Sequence, residues 1–227
     1  PPDAEEIVVV DLVSRLDWSQ VEPAFFGTLF ERGLDPSKRT QLGAHYTDRE
    51  SIMRLIEPVL LDPLRRDLAA TQAKIEALIA EGKKVTARTP AEKNPDSVFN
   101  AFLERLRSVR VLDPACGSGV FLIMAFDFLK AELSRVNDKI VELEGMGRPT
   151  QDLLDPDSEI LTNNLFGVDV NEESIEIAKL SLWIKTARRG KVLDSLDGNL
   201  RVGDSLIEDS NFAYLKHAFT WETAFPE

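Results

Sequence analysis

The stretch that most constrains this chain is Arg110-Val111-Leu112-Asp113-Pro114-Ala115-Cys116-Gly117-Ser118-Gly119-Val120-Phe121. An aliphatic run, Val109 to Leu112, predicts a short buried strand closed by an acid. A small-residue turn follows, and the apolar pattern from Val120 to Leu133 predicts a helix that runs on through Val136, Ile140 and Leu143 to a break at Gly145–Pro149. Strand, glycine turn and helix form the opening unit of a doubly wound α/β fold. Glycines let the backbone approach a ligand, and the first turn of the helix offers free N–H donors.

The turn is not a phosphate cradle of the common kinds. A P-loop needs a Lys after its last glycine, and none is present. The dinucleotide pattern G-x-G-x-x-G stops after Gly117-Ser118-Gly119, because Leu122 holds its third place. A nicotinamide dehydrogenase is therefore disfavoured.

Two further strands carry the same signature. Leu165-Phe166-Gly167-Val168-Asp169-Val170-Asn171 reads as a strand ending in an acid, and Leu200-Arg201-Val202-Gly203-Asp204-Ser205-Leu206-Ile207 as a third strand and its turn. A carboxylate at the C-terminal end of a strand can accept ribose hydroxyls, which suits Asp169; Asp204 can accept from an adenine amino group beside an apolar flank. Asp169 follows Gly119 by 50 residues, where a dinucleotide fingerprint places its acid about 20 on; a long helix and an acidic loop over 150–159 fill the difference. Ligands of open α/β sheets bind at the carboxyl ends of strands. Three carboxylates and a neutral glycine backbone suit a cationic nucleoside and repel a phosphate.

Asp113-Pro114-Ala115-Cys116-Gly117-Ser118-Gly119 with Phe121 closely resembles the S-adenosylmethionine (AdoMet) loop of prokaryotic amino-methylating DNA methyltransferases. Gly43-Ala44-His45-Tyr46-Thr47 resembles the segment that precedes that loop, in which a Tyr-Thr pair faces the methionine part of the cofactor. The order of these elements, with Trp18-Ser19-Gln20-Val21-Glu22-Pro23-Ala24-Phe25-Phe26-Gly27-Thr28-Leu29-Phe30, is similar to the large phage-defence and fused restriction-modification enzymes that methylate adenine N6. The resemblance implies a partial Rossmann-like class I methyltransferase sheet with AdoMet as cofactor. It implies cofactor contacts from Tyr46, Thr47, Asp113, Pro114, Ala115, Cys116, Gly117, Ser118, Gly119, Phe121, Asp169, Val170, Asp204, Ser205 and Leu206. It also implies an Asn-Pro-Pro-aromatic element that holds the target amine and stacks on a flipped base. That element is absent from the chain and is expected beyond Glu227, so this piece alone should not methylate.

The remaining segments read as helical. An N-terminal helical segment is expected over 1–42 and the first part of the methyltransferase domain over 43–227, with a helical insertion about 64–96. Ile7 to Val13 fits either a strand or a helix. Val21 to Leu34 reads as a helix whose Phe25, Phe26, Leu29 and Phe30 share a core-packing face. Thr47 or Asp48 suits an N-cap before Ile52, Leu55, Ile56, Val59 and Leu60. Leu64 to Ala80 predicts an amphipathic helix through Leu68, Ile75, Leu78 and Ile79, and Phe99, Phe102, Leu103 and Leu106 another. In Glu172 to Arg189 the stripe Ile175, Ala178, Leu182 and Trp183 reads as core. Arg65, Arg66, Lys83, Lys84, Arg88 and Lys93 read as a solvated face, since no aromatics are interleaved.

Composition sets limits. Net charge is −12, against the basic surface that nucleic-acid binding needs, so any DNA-reading surface is expected outside these residues. One cysteine excludes an internal disulfide and suits a reducing cytoplasm. No apolar run has the length of a membrane span, and the N-terminus carries no secretory signal. Nothing predicts a metal site: His45 has no second His or Cys nearby. Cys116 lies inside the cofactor loop, unlike the nucleophile of cytosine-C5 methyltransferases, and a nucleophilic role is rejected. Competing readings are an AdoMet enzyme acting on RNA, protein or a small molecule, and a non-enzymatic assembly module.

Overall fold

A computed structural model describes residues 7–9, 11, 12, 25, 27, 29, 33, 47–81, 90, 93–144, 156–186, 195–207 and 219–225, with backbone alone at 96, 99, 136–144 and 156. His45, Tyr46, Phe26, Phe30, residues 187–194 and the break at 145–149 lie outside this set.

Helix α1 spans Arg49–Ile56 and continues through a wide turn, Glu57–Leu61, into α2, Asp62–Ala80. Asp48 is the N-cap: its Oδ1 accepts from the Ser51 N–H at 3.0 Å and its Oδ2 from the Ser51 hydroxyl at 2.6 Å. Helix α3, Pro95–Ser108, leads to β1, Val111–Asp113, and the glycine turn opens α4, Val120–Glu144. A short α5, Pro156–Glu159, and a second wide turn, Ile160–Asn164, precede β2, Leu165–Asp169. Then come α6, Glu172–Thr186, β3, Leu200–Val202, and the four-residue α7, Trp221–Ala224.

The three strands form one parallel sheet in the order β1-β2-β3. Val111 pairs with Leu165 and Asp113 with Gly167, while Gly167 pairs with Leu200 and Asp169 with Val202. Parallel strands demand crossovers, and α4 and α6 supply them. The buried positions of α4, Leu122, Ile123, Phe126 and Leu129, pack into one core with Leu165 and Leu200 of the sheet and Ile175, Ala178 and Leu182 of α6. Gly167 permits this approach: a Cβ there would stand 2.9 Å from Cys116 Sγ, Leu122 Cδ1 and Leu200 Cδ2.

Helix α2 joins the same core through Leu64, Leu68 and Ile75, against Phe102 and Leu106 of α3. Ile52 and Ile56 of α1 pack with Met124 of α4, which docks α1 on the turns of α4 nearest the glycine loop.

Two buried asparagines close the entries to the sheet. Asn164 Nδ2 donates to the carbonyls of Leu106, Arg107 and Val109 at 3.1, 3.3 and 2.7 Å. Asn199 Nδ2 donates to those of Leu161, Thr162 and Leu165 at 3.2, 2.9 and 2.9 Å. Each stands one residue before a strand and satisfies carbonyls left open where a helical turn ends.

Several expectations need correction. The first strand begins at Val111, not Val109, whose N–H instead closes the end of α3 on the Leu106 carbonyl at 3.2 Å. The second strand does end at its acid, Asp169, and the third at Val202 ahead of its turn, as expected. Ile7 to Val9, Asp11 and Leu12 are helical, which resolves the strand-or-helix choice. Phe25, Gly27, Leu29 and Gly33 are helical as expected, but Phe25 and Leu29 are exposed (56% and 57%), and it is Gly27 between them that is buried. In α1 the exposed side takes Leu55 as well as, beyond its end, Val59.

Ile79 is also exposed, since α2 and α3 run antiparallel and Ile79 lies past the start of α3. The end of the 150–159 stretch is not an exposed loop: it folds as α5, where Asp157 is buried against Lys130 at 2.9 Å. Arg65 is not simply solvated, for its guanidinium reaches the buried Glu132 and Glu57, both at 3.6 Å.

Candidate cofactor site

The three acids stand side by side at one edge of the sheet, because the strands that carry them are parallel and adjacent. Asp113 ends β1, Asp169 ends β2, and Asp204 lies two residues past β3. The glycine loop between Asp113 and α4 wraps over the end of β2. The Cys116 N–H donates to the Val168 carbonyl at 3.0 Å and the Gly119 N–H to the Cys116 carbonyl at 2.8 Å. Gly117 and Gly119 hold φ of +50° and +81°, where L side chains are strained.

Each carboxylate also organises its own turn. Asp113 Oδ1 accepts from the Ala115 N–H at 3.1 Å. Asp169 Oδ2 accepts from the Gly117 N–H and its Oδ1 from the Asn171 N–H, both at 2.9 Å. Asp204 Oδ1 accepts from the Leu206 N–H at 3.0 Å. A carboxylate offers about four lone-pair sites, so acceptor capacity remains on all three. Asp169 is further tied to β3, since its carbonyl accepts from the Gly203 N–H at 2.8 Å.

Burial sets the electrostatics. The Asp113 carboxyl is pushed above the ordinary aspartate range, first by burial and then by the negative charge of Asp169, against the Ala115 N–H that holds it down. The Cys116 thiol is pushed well above its ordinary value by burial, with the charges of Asp113 and Asp169 adding to the effect. A thiol so held carries almost no thiolate at neutral pH. No Lys or Arg occurs among the loop, the Asp169 turn or the Asp204 turn. The site is a set of acceptors with a glycine backbone beside them.

The other expected residues fall into place unevenly. Pro114 and Ala115 are exposed on the loop, Ser118 is buried and Phe121 is half-buried against the core. Val170 and Leu206 present exposed apolar side chains beside their acids, Leu206 at 92%. Ser205 is half-buried, and its carbonyl accepts from Trp221 Nε1 at 3.3 Å. Thr47 is exposed, one residue before the Asp48 cap. Tyr46 lies outside the described residues.

The sequence reading missed the residues that back the Asp204 turn. A Cβ at Gly203 would stand 2.9 Å from Phe219 Cβ. The Phe219 ring meets Trp221 edge-on at 4.9 Å, and Phe225 meets Phe166 of β2 at 5.5 Å. A Phe-x-Trp-x-x-x-Phe spacing after the third acid was the available signal.

A parallel sheet in sequential strand order, a glycine turn between the first strand and its helix, and an acid at each strand end define a partial Rossmann-like methyltransferase fold. Comparison with known proteins agrees. The model of the MmeI DNA-methyltransferase domain matches residues 88–203, just over half of the chain, and the chain belongs to that family. A methyl donor is implied by that membership.

Among curated relatives, a Methanocaldococcus jannaschii protein named as a type II restriction enzyme and methyltransferase is 29% identical over 210 residues, 83% of this chain. DNA methyltransferase A of Bacillus subtilis is 27% identical over 180 residues, 78% of the chain. The chain spans 17% of the length of each. The adenine-specific methyltransferase BrxX of Escherichia coli is 32% identical over 99 residues, 41% of the chain and 7% of its own length. The solved structure of the type IIL restriction-modification enzyme MmeI in complex with DNA superposes with a TM-score of 0.61 at 28% identity, covering 92% of this chain and 26% of that one.

Proposed function

We propose that this chain is the cofactor-binding portion of an AdoMet-dependent DNA methyltransferase that methylates adenine N6 within a restriction-modification or phage-defence system. The observation that carries the reading is the row of Asp113, Asp169 and Asp204 across three adjacent strand ends around the glycine loop. Its acceptor-only character fits an ammonium, ribose hydroxyls and an adenine amino group. It does not fit a pyrophosphate, which would meet three carboxylates and no cation.

The residues divide the ligand between them. The glycine loop and Asp113 would face the methionine part, with Tyr46 and Thr47 contributing from the segment ahead of α1. Asp169 and Val170 would hold the ribose, and Asp204, Ser205 and Leu206 the adenine. When bound, AdoMet supplies an electrophilic methyl on its sulfonium. Direct transfer to an amine needs no side-chain nucleophile, consistent with a Cys116 thiol held protonated. DNA contacts belong to regions outside these acidic residues, and with the Asn-Pro-Pro-aromatic element absent the chain by itself should bind without methylating. We also take the domain to begin near residue 43, with residues 1–42 as a helical segment ahead of it and about 64–96 as an insertion, in a cytoplasmic protein.

The test is equilibrium dialysis of the chain against radiolabelled AdoMet, ATP and NADH in parallel. Retention of AdoMet alone supports the reading. Retention of NADH instead would favour a dehydrogenase, and retention of none would favour an assembly module.

A further inference from the structure

Three consecutive loop residues face three different neighbours. A Cβ at Gly117 would meet nothing within 4 Å, so this side of the loop is open. A Cβ at Gly119 would stand 2.9 Å from Ala178 Cβ, so this side packs on α6. Between them Ser118 is 6% exposed, and it lies against Gly27. A Cβ at Gly27 would stand 2.8 Å from Ser118 Cβ, collide with its Oγ and reach Val120 Cγ2 at 3.7 Å. Contacts that short must displace something, and here the neighbour is the loop itself.

Glycine is a poor residue for a helix interior, so its presence there asks for a reason. Gly33 provides the comparison within the same stretch, since a Cβ at Gly33 would meet nothing within 4 Å. Gly27 is buried while Phe25 and Leu29 on either side are exposed. Gly27 therefore meets the loop through bare backbone.

We propose that Gly27 is a positioning residue for the cofactor loop: its backbone seats Ser118 and so sets the curve that presents Gly117 to the ligand. This inference rests on the reading of the loop as the methyl-donor site. It adds Gly27 to that site as the backbone behind Ser118. Any side chain at position 27 would push Ser118 from its seat and disturb the turn that begins at the buried Cys116.

The test uses Gly27→Ala, Gly33→Ala, Ser118→Gly and the pair Gly27→Ala/Ser118→Gly, with two readouts. One is AdoMet affinity by calorimetry. The other, made without AdoMet, is the labelling rate of Cys116 by a thiol reagent, which reports loop opening at the single cysteine of the chain. Overpacking of this kind predicts about a tenfold loss of affinity and a comparable rise in labelling for Gly27→Ala. Gly33→Ala, whose added Cβ meets nothing within 4 Å, should change neither by more than about twofold. Against Ser118→Gly alone, the pair should show a much smaller effect of Gly27→Ala, the non-additivity expected of residues in contact.

Unchanged affinity and labelling in Gly27→Ala, equal changes in Gly33→Ala, or full additivity would overturn the inference. A parent chain that binds no AdoMet would sink the functional reading, and the labelling rates would still decide whether Gly27 seats the loop. If Gly27→Ala does not fold, recovery of folding in the pair supports the contact and its failure overturns it.

Discussion

The Asp169 carboxylate holds the Gly117 backbone N–H at 2.9 Å, tying the end of the second strand to the turn that follows the first. Its other oxygen holds the Asn171 N–H at the same distance. An acid expected to receive a ligand thus also braces the loop against which the ligand would lie. Asp169→Ala strands both donors and should cost on the order of 1–3 kcal/mol. Asp169→Asn keeps one acceptor and should fall between Ala and the parent. Urea midpoints give the order, and hydrogen exchange at the Gly117 amide should quicken in Asp169→Ala even without AdoMet. Unaltered exchange there would remove the brace from the account.

The two loop glycines should respond differently to the same change. Gly117→Ala forces an L residue to φ +50° in open space, a penalty of about 1–2 kcal/mol. Gly119→Ala carries a dihedral penalty at φ +81° and also drives a Cβ to 2.9 Å from that of Ala178. It should cost more, and Ala178→Gly should recover only the steric share. Chemical denaturation of the three variants measures this, and equal costs for Gly117→Ala and Gly119→Ala would contradict the packing described.

Asp113 should trade stability for function. Its carboxyl is raised above the ordinary 3.8 chiefly by burial, so between that value and its raised one the native state binds more protons than the unfolded state. Stability from this group is therefore full below 3.8 and is lost as pH rises through the raised value. Asp113→Asn keeps an oxygen for the Ala115 N–H and removes the buried charge. It should flatten the stability–pH curve above pH 4 and be at least as stable as the parent at pH 7, while binding AdoMet more weakly. A variant less stable than the parent at pH 7 would show the sign to be wrong.

Asn164 and Asn199 should be among the costlier single changes. Each amide serves three carbonyls ahead of a strand. Truncation to Ala leaves buried acceptors unpaired, for about 1–3 kcal/mol each by thermal or urea unfolding. Asn→Asp should be worse, since a carboxylate presents no N–H and would face carbonyl oxygens. Near-neutral Asp variants would contradict this role.

The strand ends were legible in the sequence because parallel buried strands read as short aliphatic runs, and here each is followed by an acid. Val111 to Asp113 and Leu165 to Asp169 needed only that pattern. The asparagine clamps were not legible, because Asn199 in Leu196-Asp197-Gly198-Asn199 has the composition of any turn. The carbonyls it serves come from residues 34 to 38 positions away. The expected inward placement of Phe25 and Leu29 fails for a related reason. Periodicity ranks Phe25 and Leu29 as the buried side, whereas a close backbone approach selects Gly27, which hydrophobicity scores as nothing. Lys130 and Asp157 likewise pair across 27 residues, so Asp157 looks like loop composition until the fold brings the two together.

The most direct test of the central claim is calorimetric titration of the chain with AdoMet, run beside Asp204→Ala. The account predicts saturable binding by the parent and, in Asp204→Ala, a loss of about 1–3 kcal/mol for the missing adenine contact. The variant's unfolding midpoint should stay close to that of the parent, because among the described residues the Asp204 side chain braces its own turn through the Leu206 N–H. Binding that is indifferent to Asp204 in a folded variant, or no heat from the folded parent, would contradict it.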